Sequence, residues 1–240
     1  MAEDLNSVFS LGYAYYTGTE GYPLDYDAAL ISFSEAALKG NVNSMVYIAI
    51  MYINAKGVPR DYKKALYWLN RALSIDDSNS DVYRNLGVLY YNGFGVQKNL
   101  GTACDCYVKA VKYNSNTKGK LYFNDCFMAG LLLMNCGKLK AAFPYFEVAA
   151  TKGNMADAWH NMGYLYSKRI VPGANRDTAF PFFMKAAELG NAQSMFEVGA
   201  QYQLHGKNNE ARYWFEKSLA NGYEPARRSL KMLNLASFFG

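Results

Sequence analysis

Few side chains in this 240-residue chain are of the types that bind metals or phosphates or catalyse reactions. Their spacing indicates which of these roles is possible. The two histidines, His160 and His205, lie far apart, and neither belongs to an HExxH or CxxC pattern, so they do not indicate a zinc site. The glycine-rich stretch 93–96 lacks the Lys-Ser/Thr of a phosphate-binding loop and follows a predicted helix, so it indicates a turn. No nucleophile stands beside a base. We therefore predict that the chain is not an enzyme.

The four cysteines could bind a metal or form disulfides. Cys104 and Cys106 are two residues apart on a predicted helix, so they point to different faces and do not chelate one ion together. Cys126 and Cys136 bracket an apolar helix. We interpret all four as reduced thiols that lie mostly in the core, and we predict no cofactor and no bound metal.

A repeated helix-pair pattern must position the remaining side chains. Segments 25–40, 61–73 and 177–190 are alike, and a period of roughly 33 to 45 residues is typical of a stacked helical solenoid. The first helix of each repeat carries a small residue at one fixed phase, namely Gly12, Ala49, Gly87, Gly130, Gly163 and Gly199. A helical glycine costs about 1 kcal/mol relative to alanine. Its recurrence therefore indicates that helices approach closely at this phase.

The second helix of each repeat has an alanine with a large residue three or four positions later, which predicts an interdigitating core. These pairs are Ala29/Phe33, Ala65/Trp68, Ala103/Tyr107, Ala142/Phe146, Ala179/Phe183 and Ala211/Trp214. The glycines that end these helices are predicted to adopt positive φ; they are Gly40, Gly153, Gly190 and Gly222. An Asp or Asn just before the second helix, such as Asp61 or Asp177, is expected to cap it.

The pattern predicts an all-α fold: a stacked helical solenoid of about six helix pairs plus a C-terminal capping helix. We expect a single domain over 1–240, with repeats at 5–40, 41–77, 78–118, 119–153, 154–190 and 191–222 and a cap at 223–240. The segment Tyr113–Lys120 lengthens one repeat and predicts an extended turn or a slight break in the stack. Phe238 and Phe239 are expected to pack under the cap.

The loops and the helix ends resemble those of a known family. Loops 54–61 and 92–99 are close to the form Gly-x-Gly-Val-x-x-Asp, with Ala55 in place of the first glycine in one loop and Asn99 in place of the aspartate in the other. Together with the Ala-Ala-x-x-Gly end of the second helices, this loop form is similar to the Sel-1-like repeat family. The resemblance covers roughly residues 5–223 and implies a right-handed α/α superhelical solenoid related to tetratricopeptide repeats. The units around Gly130 and Gly199 have shorter, tetratricopeptide-like loops.

The same resemblance implies that the first helices line a concave groove that binds a protein or peptide. Relative to the crossing Gly or Ala, it selects Tyr13, Tyr16, Asn54, Arg84, Tyr91, Asn92, Asn135, His160, Tyr164, Lys168 and Gln203 as partner-binding residues. The three asparagines share one phase and could form a ladder of amides along a peptide backbone. Asparagine at a helix end beside glycine is also a common cap, and this alternative stays open.

Charge is distributed unevenly along the chain, whose net charge is +5. Residues 1–40 hold six acidic side chains against one lysine, whereas the last thirty residues are basic. This asymmetry favours head-to-tail self-association or an acidic partner, although scattered solubilising charge would produce the same counts. Lys and Arg form no dense cluster, so nucleic acid is not expected as a partner.

The acidic start Met1-Ala2-Glu3-Asp4 is unlike a secretory signal, and the longest apolar stretch is too short to span a bilayer. We expect a cytoplasmic protein, although a trimmed secreted chain would look the same. Our leading hypothesis is a non-catalytic protein-interaction adaptor. The family resemblance implies uses such as signalling, secretion, bacterial interaction with a host, or toxin immunity. An alternative is a cell-wall or glycan-associated regulatory or hydrolytic protein.

Overall fold

The computed structural model describes residues 5–239, and these form thirteen α-helices and no β-strand. The chain divides into two compact units between Asn116 and Thr117, inside the segment for which the sequence predicts an extended turn or a slight break. Unit 1 contains α1 (Leu5–Thr17), α2 (Tyr26–Leu38), α3 (Val42–Asn54), α4 (Tyr62–Ile75), α5 (Ser80–Asn92) and α6 (Leu100–Tyr113). Unit 2 contains α7 (Lys120–Asn135), α8 (Leu139–Thr151), α9 (Ala156–Ser167), α10 (Arg176–Glu188), α11 (Ala192–Leu204), α12 (Asn208–Ala220) and α13 (Pro225–Phe239).

Polar side chains start most of these helices. An Asp or Asn at the N-cap accepts a hydrogen bond from a free backbone N–H of the first turn, as Asp61 does from Lys64 at 3.0 Å. One predicted cap is wrong. The cap of α10 is Asn175 rather than Asp177, because Asn175 and Thr178 form a reciprocal capping box. Asp177 lies in the first turn, and its carboxylate is free to bond outside its own helix.

The crossing glycines pack directly against aromatic rings of the second helices. An ideal Cβ at Gly163 would lie 2.7 Å from a ring carbon of Phe183, so only glycine allows this approach. Four further pairs repeat the contact: Gly12/Phe33, Gly87/Tyr107, Gly130/Phe146 and Gly199/Phe215. The core position is therefore the fourth residue after the alanine.

For this reason the large core residue was predicted wrongly in two repeats. Trp68 and Trp214 follow their alanines by three positions and are only half-buried. The fully buried side chains in those repeats are Leu69 and Phe215, which follow by four.

Helix ends confirm three of the four predicted positive-φ glycines and correct the fourth. Gly40, Gly190 and Gly222 have φ between 88° and 97°. Gly153 does not adopt positive φ; its neighbour Asn154 does, at 50°. A Cβ at Gly153 would lie 2.8 Å from the Cβ of Phe123, so close packing explains the glycine.

The cores are built from these apolar positions. Cys104, Cys106 and Cys126 are buried free thiols, whereas Cys136 is exposed. Burial raises the pKa of both Cys106 and Cys126 to about 11, which keeps these thiols protonated at neutral pH.

α13 covers the last helix pair of unit 2. Ala226 and Leu233 of α13 join Ala211 and Phe215 of α12 in one buried cluster. The predicted packing of Phe238 and Phe239 concerns side chains outside the described residues. Within residues 5–239, no helix is both long and apolar enough to cross a membrane.

Candidate functional site

The first helices of unit 1 meet through rings that we call the tyrosine cluster: Tyr13 and Tyr16 of α1 and Tyr47 of α3. The ring of Tyr47 contacts Tyr13 edge-on at 5.5 Å and Tyr16 edge-on at 5.3 Å between centroids. It also stacks on the core residue Phe33 at 5.2 Å. Tyr13 is 41% exposed, so the cluster has an outer ring at the surface and inner rings that continue into the core.

The environment of the tyrosine cluster keeps its inner hydroxyl protonated. Burial raises the pKa of Tyr47 to about 12, with smaller contributions from Tyr13 and from the Asp81 carboxylate. The Nζ atom of Lys56 lies 4.5 Å from the centroid of the Tyr16 ring, a cation–π contact. The cluster therefore presents an aromatic surface above a protonated inner hydroxyl.

The other predicted residues of unit 1 lie on α3 and α5. Arg84 forms an ion pair with Asp81 one turn earlier on α5. Tyr91 is partly exposed, and the Nζ atom of Lys98 lies 5.6 Å from its ring centroid. The guanidinium charge of Arg84 is thus largely compensated within the chain.

The three asparagines of the predicted amide ladder are each the last residue of their helices and are exposed. Asn54 and Asn92 belong to unit 1, and Asn135 belongs to unit 2. The side-chain amide of Asn92 donates to the carbonyl of Val88 in its own helix at 2.9 Å. This contact agrees with the helix-end role that the sequence left open.

Unit 2 brings three of the predicted residues together in one cavity of about 410 Å³. We call it the polar groove; its principal polar residues are His160, Tyr164, Lys168, Arg176, Gln193 and Glu197. The first three were predicted from the sequence, and the last three were not. Most of the lining residues belong to α9 and α11, which are the first helices of their repeats.

His160 is fixed at the inner side of the polar groove. Its Nδ1 atom lies 2.8 Å from Oγ of Ser194, and its ring lies 5.6 Å from the ring of Phe183. Burial lowers the pKa of His160, and the nearby Asp157 carboxylate opposes that shift in part. The imidazole is therefore neutral at neutral pH and serves as a hydrogen-bonding group.

The rim of the polar groove carries two cations. Lys168 and Arg176 are exposed, and neither has a carboxylate within ion-pairing distance in the described part of the chain. The Nζ atom of Lys168 lies 5.5 Å from the ring centroid of Tyr164, which is 37% exposed. The described residues include no group of three His, Cys, Asp or Glu side chains placed to hold a metal ion. The groove can therefore bind a ligand by charge and by hydrogen bonds.

The residues that the sequence prediction missed share a signal. Tyr47 and Glu197 both lie two positions before the crossing residue, and Gln193 lies six positions before it. These positions lie one and two helical turns before the position directly after the crossing residue, which was selected. All three positions lie on the same face of the helix. Gln203, which was predicted, is exposed but does not line the groove.

Comparison with known families identifies the repeats. The model described as Sel1 repeat matches residues 6–41, 80–112, 156–191 and 192–223, more than half of the chain. This chain belongs to the Sel1 repeat family. A model described as TPR repeat matches residues 61–93. The last Sel1 repeat is matched although its loop, 205–207, has the short form.

Among curated proteins, the chain is similar to a component of an ERAD-associated E3 ubiquitin-protein ligase, HRD3B, of Arabidopsis thaliana. The two are 35% identical over 102 residues, which is 41% of this chain and 15% of the plant protein. The matches span between 14% and 31% of the length of the curated relatives.

Solved structures show the same fold. A Sel1 repeat protein from Oxalobacter formigenes has a TM-score of 0.64 and 22% identity, over 90% of this chain and 88% of that one. YrrB, described as a TPR protein with an unusual peptide-binding site, has a TM-score of 0.62 and 19% identity, over 83% of this chain and 97% of that one. Sel1 and TPR repeats generally form protein-interaction scaffolds.

Proposed function

We propose that this chain is a non-catalytic protein-interaction scaffold whose polar groove binds an extended segment of a protein partner. The observation that carries the proposal is the pair of uncompensated cations, Lys168 and Arg176, on the rim of one cavity. A carboxylate of the partner would form charge-assisted hydrogen bonds with them. His160 and Gln193 would bind the polar groups of the backbone.

The groove is largely preorganised for a ligand. Its lining side chains project from packed helices, so little conformational entropy is lost when a ligand binds. The exposed ring of Tyr164, beside Lys168, offers apolar contact area next to the charge. Glu197 at the same surface would disfavour a uniformly acidic ligand and favour one of mixed charge.

Selection of displayed linear peptides against the full chain tests this proposal. Recovered peptides should contain an acidic residue and should bind the Lys168→Glu/Arg176→Glu variant at least about tenfold more weakly, since the rim would then repel them.

The matched control is Lys152→Glu/Lys231→Glu, which makes the same change in net charge at exposed positions outside the groove. Equal losses in the two variants would mean that net charge, and not the groove, attracts the peptides. Recovery of no binding peptide, or binding unaffected by the rim variant, would contradict the assignment.

A further inference from the structure

Unit 2 has a second cavity, which we call the loop pocket. Its lining includes one polar residue, Gln201, at a helix position where the other repeats have an apolar residue. The pocket has a volume of about 280 Å³ and is lined by Asp177, Phe180, Gln201, Tyr202, His205 and Lys207. None of these residues lines the polar groove. Gln201 follows the crossing glycine by two positions. At that phase the other five repeats have buried apolar side chains: Ala14, Met51, Leu89, Leu132 and Leu165.

Gln201 retains an unused hydrogen-bond acceptor. The side chain is 7% exposed, and its Nε2 atom donates to Oδ1 of Asp177 at 2.9 Å. Its Oε1 atom is buried, and no donor among the described residues reaches it. Exchange of the two amide atoms would place oxygen against the Asp177 carboxylate, so the hydrogen bond fixes the orientation. A buried carbonyl oxygen without a donor is unfavourable, so a rotation of the amide that brings Oε1 to the N–H of a ligand in the pocket would remove that cost.

The length of the neighbouring loop explains why this pocket is open. In unit 1 the longer loop 93–99 folds back onto the preceding repeat, where Phe94 stacks on Tyr62 with centroids 4.4 Å apart and an interplanar angle of 9°. Phe94 and Val96 thereby pack against the same core cluster as Tyr90. Tyr202 occupies the phase of Tyr90, but the loop that follows α11 consists only of residues 205–207.

The short loop supplies no apolar side chain to cover this site. Phe180 and Tyr202 instead form an open corner, with rings 5.7 Å apart at 89°. A flat ring from another molecule would therefore take the place that the chain itself fills in unit 1.

The charges of the loop pocket favour a neutral occupant. Asp177 and Lys207 carry opposite charges, and the Nζ atom of Lys207 already lies 5.9 Å from the ring centroid of Tyr202. Lys207 therefore already partly fills the position above the Tyr202 ring that a cationic ligand would occupy. The volume is at the lower limit of the roughly 300–1,000 Å³ typical of small-molecule sites, which corresponds to a single side chain.

We propose that the loop pocket binds a tryptophan side chain of a protein partner, with the indole ring against Phe180 and Tyr202 and its N–H donating to Oε1 of Gln201 once the amide has turned toward the pocket. Tryptophan combines the large flat apolar body with one donor that this lining requires. Because the pocket and the polar groove share no residue, either assignment can fail without the other.

Titration of the full chain with indole and with 1-methylindole, followed by amide chemical shifts in NMR, tests the proposal. Indole should bind with a dissociation constant on the order of millimolar and shift the signals of residues around Phe180, Gln201 and Tyr202. 1-Methylindole, which has no N–H, should bind about fivefold to tenfold more weakly. Equal affinities, no saturable binding, or shifts confined to other regions would overturn the assignment.

Two variants separate a ligand site from a merely structural glutamine. Gln201→Leu installs the residue found at this phase in other repeats, so it should fold, bind both probes equally and lose the preference for indole. Replacement of residues 205–207 by the sequence of 93–99 should fill the pocket and abolish binding of both probes. If Gln201→Leu keeps the preference, or the longer loop leaves binding intact, the pocket is not the indole site.

Discussion

In unit 1 the first helices meet through aromatic rings, whereas in unit 2 the corresponding helices present charged and amide side chains around a cavity. The two faces are built at the same helical phases. Two positions before the crossing residue, unit 1 has Tyr47 and unit 2 has Glu197. One position after it, Tyr13 contacts Tyr47, whereas the ring of Tyr164 is met by the cation Lys168. The repeat fixes where the side chains are placed. The residue type at each of these positions then decides whether neighbouring first helices pack against each other or leave a cavity between them.

The loops show the same difference: those of unit 1 are packed against the preceding repeat, whereas the loop after α11 in unit 2 is not. In unit 1 an ideal Cβ at Gly57 would lie 2.6 Å from the Cβ of Tyr26, and one at Gly95 would lie 2.9 Å from that of Tyr62. Both loops are thus pressed onto the preceding repeat. In unit 2 Gly206 has nothing within 4 Å of its ideal Cβ, and the loop pocket lies open beside it. In unit 1 these loops add packing between repeats, whereas in unit 2 the loop after α11 leaves the neighbouring surface uncovered.

The largest expected effect is that of truncating the central ring of the tyrosine cluster. Tyr47→Ala should lower the free energy of unfolding by about 3 kcal/mol, because four neighbouring rings lose their contact. Tyr164→Ala in unit 2 should cost less than about 1 kcal/mol, since that ring is exposed and meets mainly Lys168. Urea denaturation of both variants measures the difference.

Tyr47→Phe is the matched control, because it keeps the ring and removes only the hydroxyl. It should remain within about 1 kcal/mol of the unsubstituted chain. If Tyr47→Ala and Tyr164→Ala lowered the free energy of unfolding by similar amounts, the helix face of unit 1 would not be more tightly packed than that of unit 2.

The fold could be predicted from the sequence because steric constraints recur. A glycine or alanine at each crossing and a large side chain opposite it are visible in every repeat. The errors come from neighbours that satisfy the same rule. Trp68 and Leu69 both lie on the inner stripe of α4, and hydrophobicity alone does not decide which one points inward. Asn175 and Asp177 are both good caps, and only the reciprocal bond of Thr178 selects the first.

The sites could be predicted only in part. His160, Tyr164 and Lys168 share a groove because their phases follow the repeat. Arg176 was missed because it reaches the groove from the start of a second helix, which depends on the path of the preceding loop. The position of Gln201 in a cavity depends on the length of the loop after it. Such features arise from contacts between repeats, and no period within one helix indicates them.

The loop comparison yields the second-largest effect. Gly57→Ala should destabilise the chain by about 2 kcal/mol, because alanine is strained at φ 67° and its Cβ would meet Tyr26. Gly206→Ala is the matched control at φ 73° in open space, and it should cost only the conformational strain of about 1 kcal/mol. Equal costs in denaturation experiments would show that the loops of unit 1 do not press on the preceding repeat.

Acid should affect the two units differently. Burial lowers the pKa of His160 in unit 2, and unit 1 contains no histidine. Since the unfolded chain binds this proton more readily, the stability of unit 2 should be complete above the unfolded pKa of about 6.5 and decrease as pH falls below it. Hydrogen exchange between about pH 7.5 and 5.5 should therefore show opening of α9 and α11, but not of α1 and α3.

His160→Gln should remove this dependence on pH, because glutamine does not titrate. His205→Gln retains His160 and should retain the dependence as well. Acid opening that is equal in both units, or that persists in His160→Gln, would assign the effect to carboxylates instead.

The smallest expected effect concerns the opposite charges of the two chain ends. Residues 1–40 have a charge of −5 from six acidic side chains and Lys39, whereas Arg212, Lys217, Arg227, Arg228 and Lys231 lie toward the other end. Exposed charges attract weakly and are screened over about 8 Å at physiological ionic strength. Sedimentation at increasing protein concentration should therefore show head-to-tail association only at low salt.

Arg228→Glu/Lys231→Glu should abolish that association, because it places acidic side chains opposite the acidic end. The rim variant Lys168→Glu/Arg176→Glu makes the same change in net charge at the polar groove and should leave the association intact. If both variants dissociate the chains equally, overall charge drives the contact and the basic end is not a specific surface. If the rim variant alone does so, the polar groove itself receives the acidic end of a second copy.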